Sequence, residues 1–408
     1  MNSASKWTSR YPWLLVAMLW LASFLNAADR SILVATMPDI RAEFGLDATQ
    51  LALINSVFFW VYAAAAFVSG QVGDTIRRSR LIAYGLIFWS VATGAMSLAT
   101  GFGSLLALRA AVAIGESTYY PSATALIGDW HLPRFRSRAL SLHQTGLFAG
   151  AGLGAFAAGL IADHLGWRAP FLVFAGLGLV WAAFLTKFLK DAAAEEKDPN
   201  PLTTTRPLQL VLKNRAALLI CAVFFLANGA STGIMVWAPT YAHDLLGLNL
   251  AGSALLGSAT INIAGFLSVP LGGYLADKLA RRFLLGRFYT LAIGLFLAAL
   301  FLLPILWAGS VFTIGAILVA SSIGKGLFDG CIYAAMHDIV PPRARATAVG
   351  VMTTMGFIGG GLSPILVAQL SEHLSMASGL AALAIAYLLA VAAIFGARQT
   401  ISKAVHQA

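Results

Sequence analysis

The chain has 408 residues, 59% of them hydrophobic and only 11% charged, a composition too apolar for a soluble enzyme of two or three domains. A formal net charge of +10 raises nucleic acid as a partner, but there is no recognition motif and the bases alternate with apolar segments instead of gathering on one face. Cys221 and Cys331 both sit inside apolar segments, which indicates neither a disulfide framework nor a metal site.

Hydropathy over a window of about 19 residues predicts twelve membrane-spanning helices, at 11–37, 50–70, 81–99, 104–127, 139–161, 169–189, 216–241, 253–275, 283–303, 311–335, 346–370 and 376–397. Lys6 and Arg10 precede the first run as in a signal peptide. That run continues to about Met37 with no small-residue cleavage site, so a retained helix is expected. An even number of helices puts both termini on one side. With that side cytoplasmic, 22 of the 27 Lys and Arg fall in cytoplasmic segments, against Arg41 and Arg168 outside, which fixes the orientation. The three remaining bases, Arg30, Arg109 and Lys325, and three acids, Asp29, Glu116 and Asp329, lie within predicted helices. An ionised side chain at membrane depth is costly unless paired or facing water, so equal numbers of opposite sign predict mutual pairing and mark a transport pathway.

The only long polar connection, 191–215, has the charges and prolines of a solvated cytoplasmic linker. It divides an N-terminal six-helix bundle, 1–190, from a C-terminal one, 216–408. The halves repeat. Gly70-Gln71-Val72-Gly73-Asp74-Thr75-Ile76-Arg77-Arg78 after helix 2 corresponds to Gly273-Tyr274-Leu275-Ala276-Asp277-Lys278-Leu279-Ala280-Arg281-Arg282 after helix 8, at an offset of 203 residues. Asp129, Pro133, Arg134 and Arg136 after helix 4 correspond to Asp338, Pro342, Arg343 and Arg345 after helix 10, at an offset of 209. Two matches near half the chain length indicate duplicated halves of an all-α membrane protein.

These loops resemble the Gly-x-x-x-Asp-(Arg/Lys)-x-x-Arg-Arg signature of the major facilitator superfamily, and the 6+6 repeat extends the resemblance to the whole chain. The first copy departs from it, with Thr75 where a base is usual and Arg77 where Gly is usual. The resemblance implies a transporter working by alternating access, in which Asp74, Arg78, Asp277 and Arg281 form a conformational switch. Within the superfamily, Asn26-Ala27-Ala28-Asp29-Arg30, the helix 4 stretch from Arg109 through Gly115-Glu116 to Pro121, Arg136 to Gln144, and Gly166-Trp167-Arg168 are similar to the anion:cation symporter branch. That branch includes bacterial proton-coupled hexuronate and galactonate carriers, vesicular glutamate carriers and phosphate carriers. Spinster lysolipid and sphingolipid carriers share a similar Asp-Arg and Gly-Glu and are the nearest alternative.

Neighbouring residues Asp29 and Arg30 point about 100° apart around a helix, whereas Arg109 and Glu116, seven apart, share a face. Asp29 is therefore expected to pair with Arg109, and Arg30 to face a cavity near Glu116, where its planar fork suits a carboxylate. Glu116, in an apolar stretch, is the expected proton carrier, with Asp29 secondary. A static ion cluster tying helices 1 and 4 together is the bland alternative. Tyr62, Tyr119, Tyr120, His143 and Gln144 are candidates for neutral hydrogen bonds to substrate hydroxyls, as are Asn228, Trp237 and Asn262 in the second half, though such residues commonly serve as helix–helix glue. Lys325 and Asp329, at i,i+4, are cavity candidates that can also simply bond each other. The glycines of 146–159 and 356–361 have no preceding strand and predict close helix packing, not nucleotide loops.

The expected function is symport of a small organic anion, of sugar-acid type, with protons as the coupling ion and no other cofactor. A lipid bilayer is the surrounding partner, nucleic acid is excluded, and a monomer in a bacterial inner membrane is expected. With no catalytic domain, metal cluster or nucleotide motif, the protein is not expected to be an enzyme.

Overall fold

A computed structural model describes residues 10–192, 206–248, 252–253 and 255–407. Lys6, Lys197 and most of the predicted linker lie outside them. The described residues are almost wholly helical: α1 Tyr11–Phe44, α2 Ala48–Thr75, α3 Arg78–Ala95, α4 Phe102–Ser117, α5 Tyr119–Trp130, α6 Pro133–Leu165, α7 Arg168–Phe188, α8 Pro207–Lys213, α9 Arg215–Leu246, α10 Thr260–Ala280, α11 Gly286–Leu302, α12 Val311–Asp329, α13 Ile332–His337, α14 Arg345–His373, α15 Met376–Gly396 and α16 Arg398–Gln407. Among the described residues eleven helices are long and apolar enough to cross a membrane. The twelfth predicted span is the broken pair α4–α5.

Several helices outrun their predicted spans. α1 continues to Gly45, whose left-handed backbone (φ 61°) ends the helix by donating to Arg41 O, as glycine does without strain. α2 starts at a capping box, in which Asp47 accepts from Gln50 N at 2.8 Å and Gln50 accepts from Asp47 N at 3.1 Å. Hydropathy reads only the apolar length, whereas these polar caps carry the helices on. α8 was also missed, since it lies inside the segment read as linker.

The break between α4 and α5 follows from Pro121, which has no amide to offer the carbonyl of Ser117 four residues back. The Ser69 hydroxyl of α2, which also reaches Ala65 O in its own helix, lies 3.0 Å from that freed carbonyl. Helix 10 is broken as well, immediately after Asp329.

Two compact units emerge. One gathers the described residues of Met1–Leu132, Gly146–Lys213 and Pro342–Val351, the other those of Pro133–Thr145, Asn214–Pro341 and Met352–Ala408. In the first, Gly146, Gly150 and Gly154 of α6 lie against Trp20, Phe24 and Ala28 of α1 so closely that a Cβ on Gly146 would stand 2.6 Å from Trp20 O, and one on Gly154 2.6 Å from Ala28 Cα. In the second, Gly356 and Gly359 of α14 pack on Phe224 and Phe225 of α9 in the same way. The glycine runs are packing surfaces, as small residues are in lipid.

Candidate functional site

The glycine contact with α6 sets the position of α1 and hence of Asp29 and Arg30. Arg30 crosses to α4, its Nε 2.6 Å from Glu116 Oε2, and its Nη2 donates to Asn26 Oδ1 one turn back at 2.8 Å. Glu116 is wholly buried while the Arg30 side chain keeps 23% exposure. The second carboxylate oxygen of Glu116 has no hydrogen-bond partner among the described residues. The expected approach of Arg30 to Glu116 is thus present.

The expected direct pair of Asp29 with Arg109 is not. No ion pair joins them; the Arg109 guanidinium lies on the face of Phe58, 4.4 Å from the ring centroid, and its buried Nε lacks a partner among the described residues. Asp29 is buried beside Trp89 and Thr93 of α3, with Arg109 near enough to act on it only through its charge. The reason is on α2. Phe58 takes Arg109 on its ring and Arg30 at 5.0 Å, and Tyr62, one turn on, takes Arg30 at 4.9 Å. Aromatic faces carry negative potential that attracts guanidinium, so α2 offers the two arginines a shared apolar seat. Tyr62 therefore belongs to the cluster through its ring, whereas the sequence offered only its hydroxyl, to a substrate. Phe58 was missed, although its i,i+4 spacing from Tyr62 places both on one face of α2.

The Tyr119 hydroxyl donates to the Leu19 carbonyl, a helix–helix tie. Asn228 donates to Gly356 O at 2.9 Å and Trp237 to Pro364 O at 3.0 Å, so both act as glue within the second unit. Asn262 is half-buried on α10. Gln144 is buried and its Oε1 has no partner among the described residues. His143 is fully buried, and Tyr120 is buried as well. Lys325 and Asp329 bond each other on α12, with Nζ 2.6 and 2.8 Å from the two carboxylate oxygens.

The repeated loops build two matching clusters. In the first unit Asp74 accepts from Ala346 N at 3.1 Å and Thr347 N at 2.7 Å, at the start of α14, and from Arg78 at 2.7 Å. Arg78 also pairs with Asp129, which accepts from Arg345 at 2.8 Å. In the second unit Asp277 accepts from Ser137 N at 3.1 Å and Arg138 N at 3.0 Å, near the start of α6, and from Arg287 at 2.9 Å. Arg287 pairs with Asp338 at 2.5 Å, and Arg136 pairs with the same acid at 3.1 Å. Carboxylates at helix N-termini meet free amides and the positive end of the dipole. The counterpart of Arg78 is therefore Arg287 and not Arg281, which is exposed and forms no ion pair among the described residues. The signal was in the sequence: 287 − 78 is 209, the offset of the second motif.

Duplicated membrane helices around a buried cluster of charges define a polytopic membrane protein with an internal ion site. The match to the Major Facilitator Superfamily spans residues 19–291 and 284–406, and the chain belongs to that family. It is 30% identical over 391 residues to the hexuronate transporter of Bacillus subtilis (strain 168), covering 90% of this chain and 92% of that protein. It is 25% identical over 425 residues to the D-galactonate transporter of Escherichia coli O6:H1, covering 96% and 95%. The crystal structure of a bacterial homolog to the human lysosomal transporter Spinster, inward-facing and unoccupied, matches with a TM-score of 0.65 at 20% identity over 97% of this chain and 99% of that one, a likeness of fold alone.

Proposed function

We propose that the protein is a proton-coupled symporter carrying a small organic anion, of sugar-acid type, across the bacterial inner membrane by alternating access, as a monomer with both termini cytoplasmic. The Arg30–Glu116 pair supports this reading above all. A substrate carboxylate and Glu116 compete for one guanidinium fork. Protonation of Glu116 removes its claim on Arg30, which is then free to hold the anion; loss of the proton on the other side restores the claim and releases it. Asp29 is the secondary proton carrier, and Asp74, Arg78, Asp277 and Arg287 brace one state of the cycle. The relatives named for hexuronate and D-galactonate support the same substrate class.

A thermal-shift screen of purified protein against sugar acids, dicarboxylates, phosphate and lysolipids tests the substrate, because a ligand of the folded state raises its apparent stability. Stabilisation by lysolipids and not by sugar acids would replace the reading with a Spinster-like lipid carrier. Glu116→Gln mimics the protonated form. In proteoliposomes it should exchange labelled for unlabelled substrate yet fail to accumulate it against a gradient when protons drive uptake; wild-type accumulation would refute the coupling role.

A further inference from the structure

At one end of the second unit, the turn between α10 and α11 and the terminal helix α16 line an open cavity of about 730 Å³. Arg282 enters it from the turn, and Arg398 and Lys403 enter from α16. No acid lines it. The bases of the nearby aspartate cluster, Arg136, Arg138 and Arg287, share Asp277 and Asp338, whereas Arg282, Arg398 and Lys403 form no ion pair among the described residues. Three like charges around one cavity repel one another until an anion joins them. Gln399 and Ser402 add neutral donors to the same wall. α16 is held in place through Ile401, which is 1% exposed, so the polar face of this helix is presented to the cavity by packing on its other side.

The turn also carries an apolar rim. Phe283 and Leu284, directly after Arg282, are 55% and 48% exposed, and behind them Tyr289 stacks on Phe395 with ring centroids 6.5 Å apart. Cations beside exposed apolar side chains at the end of a membrane bundle match a molecule with an anionic head and an apolar tail. We infer that this cavity binds the phosphate of an anionic phospholipid, with Phe283 and Leu284 against the first carbons of its chains. A soluble phosphate ester offers the same anion without the tail, which is what the test separates.

The test titrates full-length detergent-purified protein with phosphatidylglycerol, phosphatidylcholine or glycerol 1-phosphate and follows the thermal midpoint. Phosphatidylglycerol should raise it saturably, and the other two should not. At a surface each base contributes roughly a fivefold gain in affinity for anionic lipid. Arg282→Gln/Arg398→Gln/Lys403→Gln should therefore need roughly 100-fold more phosphatidylglycerol for the same rise. Should the triple variant fail to fold, Lys403→Gln alone must show the roughly fivefold loss. A variant that responds like the wild type, or equal stabilisation by glycerol 1-phosphate, would overturn the assignment.

Discussion

Asp74 and Asp277 hold the same pair of amides at the start of a helix, each backed by an arginine and a second aspartate, although Arg78 lies four residues from its aspartate and Arg287 ten. The membrane interiors differ. In the first unit Arg30 reaches from α1 to Glu116 on α4, while in the second Lys325 and Asp329 close on each other within α12. A brace has to satisfy the same buried amides in both repeats, so its geometry persists while the spacing of its residues drifts. A pair shared between helices, in contrast, can be pulled apart by a competing ion, and a pair within one helical turn keeps its partner wherever the helix goes. That asymmetry is why the proposed anion site is set in the first unit.

The brace is the strongest place to press. Arg287→Gln takes the shared cation from buried Asp277 and half-buried Asp338 and should destabilise the protein by roughly 3 kcal/mol, whereas Arg281→Gln should leave the thermal midpoint unchanged; an equal loss in both would undo the assignment of Arg287. Next comes Arg30→Ala, expected to weaken substrate binding roughly 100-fold with expression intact, since charged hydrogen bonds are each worth about 1.5–3 kcal/mol. Arg30→Lys keeps the charge but not the fork and should recover only part of the loss. Undiminished uptake by Arg30→Ala would move the anion site elsewhere. Phe58→Leu removes the ring between two guanidiniums and should cost roughly tenfold in affinity, read by titrating substrate against the thermal midpoint. The smallest effect is expected in the second unit. Asp329→Asn strands the Lys325 ammonium, while Lys325→Met/Asp329→Asn removes both charges, so the double variant should transport better than the single one. A double variant as impaired as Arg30→Ala would show that Lys325 also meets the anion.

Twelve helices, the duplication and the Arg30–Glu116 contact were legible because they rest on strong local rules: apolar length, a repeated loop, and charges that need partners in lipid. The break after Ser117 falls inside the single helix expected over 104–127, although Pro121 carries its signal. Other features depended on neighbours that one sequence does not reveal. The separation of Asp29 from Arg109 is set by Phe58, an apolar residue with no polar signature, and Tyr119 and Asn228 were drawn to backbone carbonyls of adjacent helices. The aspartate loop alone pairs Arg78 with Arg281, because six extra residues between Asp277 and Arg287 shift the register there.

The four charges of the first unit, Asp29, Arg30, Arg109 and Glu116, sum to zero, and this bears on what drives transport. Under the proposed mechanism, with Glu116 alone taking up a proton, one proton and one monoanion cross together, and that cycle is electroneutral and insensitive to voltage. When Asp29 is loaded as well, each turnover carries one net positive charge inward, and a negative interior voltage accelerates it. The voltage dependence of uptake by the wild type, set against that of Asp29→Asn, therefore counts the carboxylates that travel protonated.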